Sequence, residues 1–232
     1  MVKGRAPHFP ETIVSADDYF PLKEGLQWKY AGKKVTQGMA EEKRFTNTVT
    51  VLGKEVINGI ALIPFEEKDA SGRGLLVRYY LKEKTGVVCY GYKPPVLLLQ
   101  QVMPYLWVPL PIRIPHRFNQ IDKKGLDTGR DYDGDGINES ADMESSINVA
   151  GEESLSVPAG TYASAVRIEY RLTIRIHLTA GGKPKELTQH STHWFAKGIG
   201  LVKRVDKGPG VRLGPWPPTI FEITEELEGI SH

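Results

Sequence analysis

The chain has 232 residues, with 30 Lys and Arg set against 28 Asp and Glu, so its formal net charge is only +2. That balance provides no basic field and excludes nucleic acid, or an anionic membrane surface, as a partner recognised by charge alone. Its one cysteine, Cys89 in GVVCYGY, excludes an internal disulfide and reads as a small core residue. The length suits one β domain over 1–232, with 1–17 as an N-terminal extension that carries no apolar signal core.

In chain order, SADDYFPLKEGLQWKYAG from Ser15 predicts a turn, a bend set by Pro21, and a strand through Leu26, Trp28 and Tyr30. RFTNTVTVLG follows with Phe45, Asn47, Val49 and Val51 in phase. EVINGIALIPFEE carries Asn58-Gly59, a hairpin signal because both residues tolerate the left-handed backbone of a tight turn. LLVRYYLKEKTGVVCYGYK adds two strands around a turn near Lys84 to Gly86. This is the pattern of a meander, with no helical period.

Residues 94–115, PPVLLLQQVMPYLWVPLPIRIP, form the most apolar stretch, and Pro94, Pro95, Pro104, Pro109, Pro111 and Pro115 exclude an ordinary membrane-spanning helix. In one reading Leu97, Leu99, Leu106 and Trp107 close over the sheet and complete its core; in the other the segment is a flexible lid on an apolar cavity.

Residues 120–145 read as an insertion built around DYDGDGINESAD. Asp131, Asp133 and Asp135 occupy alternate positions, Gly136 permits a sharp turn, Ile137 offers a backbone carbonyl, and Glu139 and Asp142 take the ninth and twelfth places. Five carboxylates and a carbonyl can thus converge on one hard cation, and without a cation they would repel. The loop resembles the calcium loops of dockerin, thrombospondin type-3 and EF-hand proteins over these twelve residues, which implies bound Ca2+. It departs from them in lacking helical flanks and in ending on Asp142 rather than Glu, which points to a structural site rather than a sensor.

The turn Pro158-Ala159-Gly160 leads into AVRIEYRLTIRIHLT, Ala165 to Thr179. Val166, Ile168, Tyr170, Leu172, Ile174, Ile176 and Leu178 alternate with Arg167, Glu169, Arg171, Thr173, Arg175 and His177, so a long antiparallel strand with one wet face is expected. At roughly 3.3 Å per residue it spans about 50 Å, which requires a strongly twisted sheet with a concave side. Ile168, Tyr170, Leu172, Ile174 and Ile176, with Trp107, are the candidate face for an apolar ligand.

A Gly181-Gly182 turn, the hairpin LTQHSTHWFAKG to LVKRVD, a Gly/Pro loop over 208–218 and TIFEITEEL complete the chain. The expected class is all-β: nine or ten strands in a long, twisted antiparallel sheet, as a half-barrel or part-barrel. His190 and His193 point to opposite faces, which disfavours zinc. There is no nucleophile elbow, zinc-protease motif or phosphate loop, and no Cys-His pair for Cys89, so no residue is assigned to catalysis.

Three stretches carry a wider resemblance: DYFPLKEGLQWKY (Asp18 to Tyr30), SVPAGTYASAVRIEY (Ser156 to Tyr170) and HWFAKGIGLVKR (His193 to Arg204). They resemble the signatures of a loose group of exported bacterial proteins, often lipoproteins without known activity. That group is similar to the half-barrel lipoprotein carriers and receptors of the envelope. The resemblance implies export to the periplasm, the outer membrane or beyond, and an acyl chain or envelope protein as partner. This chain lacks the carriers' covering helices. Three readings stand: a non-enzymatic, calcium-stabilised sheet holding an apolar ligand or partner on its concave face; a structural or interaction module with a self-filled core; and, last, a calcium-dependent hydrolase.

Overall fold

The computed structural model describes residues 19–39, 41–209 and 219–232 in full and the backbone of 12–14. The N-terminal extension apart from the backbone of 12–14, and most of the loop at 208–218, therefore lie outside the described residues. Among those described, the strands are β1 (Thr12–Val14), β2 (Gln27–Thr36), β3 (Lys43–Val51), β4 (Glu55–Ile57), β5 (Ile60–Asp69), β6 (Gly74–Glu83), β7 (Gly86–Lys93), β8 (Tyr105–Pro109), β9 (Ile112–Ile114), β10 (His116–Asp127), β11 (Ser140–Val157), β12 (Gly160–His177), β13 (Lys185–Ala196), β14 (Gly200–Pro209) and β15 (Ile220–Ser231). One short helix, α1 (Leu97–Gln100), interrupts them.

Hydrogen-bonded neighbours follow the path β10-β11-β12-β13-β14-β15-β2-β3-β5-β6-β7-β8, with β4 folded onto β5, and the pairings are antiparallel. The last strand, β15, pairs with β2, so the two halves of the meander join in mid-sheet. The sheet almost closes into a barrel, leaving one seam between β8 and β10. Across the seam side chains replace ladder bonds: Gln120 Nε2 donates to Leu106 O at 2.6 Å, and Tyr170 Oη donates to Trp107 O at 3.1 Å. Two carbonyls of β8 are thereby satisfied without a neighbouring strand.

The all-β expectation holds, but there are more strands than the nine or ten expected. Strands of three to five residues such as β4, β8 and β9 are too short to register a period. The 120–145 stretch also differs from the expected insertion. It is the β10–β11 hairpin, and only residues 128–139 lie outside its strands. Irregular register between Asn119 and Ile121 and between Lys123 and Leu126 disrupts the alternation of β10, which hides it in the sequence.

The core fills much of the interior. Val51, Val87, Val108, Ile112, Met143, Ile147, Ile168 and Ile176 are sealed from solvent. From the 94–115 stretch, Leu98, Val102, Tyr105 and Leu110 are buried, Leu99 and Trp107 pack against the core, and Leu97 projects outward. Phe20, Phe65, Tyr80 and Phe195 form an aromatic cluster with Trp28 stacked on Phe65. Two of the sequence signatures meet here. Trp28 Nε1 donates to Ile199 O at 2.7 Å and Tyr30 Oη to Leu201 O at 2.9 Å. Between them Gly200, at φ +95°, leaves room for Pro21 and Trp28 that a side chain would take. The third signature joins through Ala159 N, which donates to Leu227 O at 2.9 Å.

Candidate functional site

Alternation along each strand sends every second side chain inward, and the register carries one inner row around the sheet. Ile168 lies opposite His193, His193 opposite Arg204, and Arg204 opposite Glu225. This row is not uniformly apolar. Arg78 pairs with Glu67 at 3.0 Å; Asn47 donates to Glu67 at 3.1 Å and to Glu225 at 2.7 Å; Glu225 pairs with Arg204. Arg204 also faces Asp206 at 3.4 Å, and Asp206 faces His193 Nε2 at 3.8 Å. A continuous polar belt thus draws on β6, β5, β3, β15, β14 and β13, with Asn47 reaching over β2 to Glu225.

The belt's electrostatics follow from its burial. Burial works against ionisation of Glu67 and Asp206, yet the neighbouring Arg78 and Arg204 outweigh it and hold Glu67 below the usual carboxylate range; Asp206, beside Arg204 and His193, is held well below it. Burial also opposes the charge on Arg204, but Glu225 and Asp206 keep it protonated. For His193 burial prevails over Asp206 and lowers its pKa, so the imidazole stays neutral at pH 7.

On one side the belt meets the aromatic cluster. On the other it walls a chamber of about 760 Å³. Glu67, Arg78, Gln189, Ser191, His193, Arg204 and Asp206 form its polar wall. Tyr92, Tyr105, Trp107 and Tyr170 add aromatic surface, with Trp107 and Tyr170 stacked at 5.6 Å. Leu75, Leu76, Val96, Leu99, Leu172, Phe221 and Ile223 supply the apolar part. Its volume falls within the range of small-molecule sites.

Of the residues expected to form an apolar ligand face, Trp107, Tyr170 and Leu172 border this chamber. Ile168, Ile174 and Ile176 do not: they are buried in the core. The expected face is also more polar than the β12 sequence suggested, since its charged members come from other strands. Asn47 and Glu225 could have signalled this, each standing in the apolar phase of its own strand between buried or half-buried hydrophobic residues. The outer face of β12 is a solvated ion-pair surface, with Arg175 bound to Glu144 at 2.7 Å and to Glu186 at 3.0 Å.

The acidic loop caps the β10–β11 hairpin. Its neck is held by Thr128 N to Glu139 O at 3.0 Å and Glu139 N to Arg130 O at 2.9 Å. Asp131 Oδ1 accepts from Gly134 N at 2.5 Å and Asp131 Oδ2 from Gly136 N at 2.8 Å. Oxygens of Asp131, Asp133 and Glu139 lie within 4.8 Å of one another. Glu139 is fully buried; its Oε2 accepts from Tyr132 N at 2.6 Å, whereas Oε1 has no hydrogen-bond partner. A buried, unpartnered carboxylate oxygen beside two aspartates fits a hard cation such as Ca2+.

The remaining sequence candidates lie differently. Asp135 Oδ1 accepts from Ile137 N at 2.8 Å and its Oδ2 from Thr179 Oγ1 at 2.6 Å. The side chain of Ile137 is exposed. Asp142 stands apart from the cluster, as a residue of β11 whose carboxylate accepts from Gly125 N at 3.1 Å and meets His177 Nε2 at 3.0 Å. The strand begins at Ser140, so the loop cannot wrap far enough to bring its twelfth residue back.

No family model matches the chain, and no curated protein matches it. Two solved structures are similar in shape. A candidate lipoprotein from Parabacteroides distasonis has 13% identity and a TM-score of 0.44, over 94% of this chain and 100% of the other. A candidate exported protein with a YmcC-like fold from Bacteroides fragilis has 13% identity and a TM-score of 0.39, over 93% of this chain and 99% of the other. Among the described residues no helix is long and apolar enough to cross a membrane.

Proposed function

We propose that this protein is a non-enzymatic exported module of the bacterial envelope, which holds a ligand inside its nearly closed sheet and is stabilised by calcium at the β10–β11 loop. The observation that carries the ligand-holding reading is the chamber of about 760 Å³ bounded by a polar belt and an apolar wall. A sheet built only for structure gains by filling such a space, because each unfilled volume forfeits packing contacts. The alternative of a structural or interaction module with a self-filled core finds support in the sealed part of the interior, from Val87 and Met143 to Ile168, Ile174 and Ile176. Export is supported by the three sequence signatures.

Catalysis finds little support in the belt. His193 and Asp206 resemble a base with its orienting acid, but 3.8 Å is too long for the hydrogen bond between them, and His193 Nδ1 has no hydroxyl or thiol bound to it. For calcium, Asp131, Asp133 and Glu139 would be the side-chain ligands, and the ion would serve to hold the hairpin loop rather than to react.

Native mass spectrometry of protein purified without detergent, before and after chelation, tests both parts. A small-molecule adduct that survives purification, together with a calcium adduct that chelation removes, is the expected result. A bare protein that also takes up no ligand when amphiphiles are offered would make the interaction module the better reading.

A further inference from the structure

The wall of the chamber narrows the chemistry of its occupant, an inference that rests on the ligand-holding reading above. The arginines of the wall already have counter-charges, Arg78 with Glu67 and Arg204 with Glu225 and Asp206, while Lys34 lies over the ring of Phe221 at 4.8 Å. A ligand carboxylate would meet Glu67 and Asp206 on that wall; an ammonium would meet Arg78 and Arg204. Against Gln189, His193 and Arg204 either brings a charge that finds no free counter-charge on that wall, at a desolvation cost.

Hydrogen-bonding capacity, in contrast, is unmet. His193 Nδ1, Gln189 Oε1 and Arg204 Nε have no hydrogen-bond partner, and all three residues border the chamber. With the imidazole neutral and its Nε2 turned toward Asp206, Nδ1 is an acceptor. The unmet set is therefore two acceptors, beside a donor, Arg204 Nε, that has only its 3.4 Å ion pair with Asp206. Hydroxyl groups both donate and accept, so they match this set without adding charge. Leu99, Leu172, Phe221 and Ile223, half-buried, leave the rest of the chamber apolar.

We propose that the chamber takes an uncharged, hydroxyl-bearing amphiphile, its head against Gln189, His193 and Arg204 and its aliphatic part against Leu172 and Leu99. A glycolipid-like molecule and a free sugar share the head chemistry, and the experiment separates them.

Isothermal calorimetry on the full chain, below micelle-forming concentrations, would compare octyl glucoside, octanoate, octylammonium and glucose. Octyl glucoside is expected to bind at least ~10-fold more tightly than either charged amphiphile and ~100-fold more tightly than glucose. Gln189→Leu is expected to weaken octyl glucoside roughly tenfold with the thermal midpoint kept. Leu172→Trp, which narrows the chamber beside Gln189, its cross-strand neighbour, should weaken octyl glucoside binding at least as much. Octanoate or octylammonium binding as tightly as the glucoside would overturn the uncharged head and leave the chamber reading intact. Glucose binding as tightly would overturn the amphiphile in favour of a free sugar. Unchanged binding in Gln189→Leu or Leu172→Trp would overturn the placement, and no binding by any of the amphiphiles would overturn both this inference and the ligand-holding reading.

Discussion

At the scale of single residues, two positions show how local geometry fixes the fold. Gly86, at φ +145°, opens β7 so close to β8 that an added Cβ would lie 2.1 Å from Val108 O and 3.0 Å from Leu110 N. Neither neighbour is a flexible side-chain end, so Gly86→Ala is expected to cost about 2–4 kcal/mol, read as a lowered urea midpoint. His193 makes the other case. Its pKa in the folded chain lies below the ordinary 6.5, so the unfolded chain binds the extra proton first. Stability that is complete above about pH 6.5 therefore falls as the pH drops below it. Asp206 and Glu67, both lowered, add a second loss beneath the ordinary carboxylate range. His193→Phe should remove the first phase and leave the second, a comparison that thermal midpoints measured from pH 7 to pH 3 would make directly.

At the scale of elements, the β10–β11 hairpin and the long strand β12 behave differently from their sequences. The loop brings Asp131, Asp133 and Glu139 together while Asp142 serves the strand. Calcium is accordingly expected to raise the thermal midpoint of the wild type, by about 2.7 kcal/mol of stability at a hundredfold excess over Kd. Glu139→Gln should abolish that increment, and Asp142→Asn should retain most of it; the reverse order in a calcium titration followed by calorimetry would restore Asp142 as the ligand. In β12 the sealed Ile168 should behave as a core residue. Ile168→Ala is expected to cost about 2–5 kcal/mol in chemical denaturation without altering ligand binding.

At the scale of the whole molecule, the segment between β7 and β10 closes the interior. Leu98, Val102 and Tyr105 are buried there, and β8 supplies one edge of the seam that Gln120 and Tyr170 stitch. Deleting Val96 to Trp107 should therefore abolish cooperative unfolding rather than leave a folded protein with an open cavity. Circular dichroism during a thermal scan distinguishes the two. The belt acts at the same scale: its members come from six strands, so it exists only when the meander's two halves are joined through β15 and β2.

The sequence by itself determined the all-β class, the long strand expected over Ala165 to Thr179, the hairpin turns and the acidic loop. These rest on period-two alternation and turn chemistry, which are properties of neighbouring residues. Only the tertiary structure decided that the sheet nearly closes, that most of the apolar face of β12 is buried rather than open, and that Arg78, Glu67, Asn47, Glu225, Arg204 and His193 converge. Those contacts join positions as far apart as Asn47 and Glu225, and alternation within one strand gives each residue's face without saying which faces meet. The loop divides along the same line: spacing named its carboxylates, but the start of β11 at Ser140 decided which of them could turn inward together.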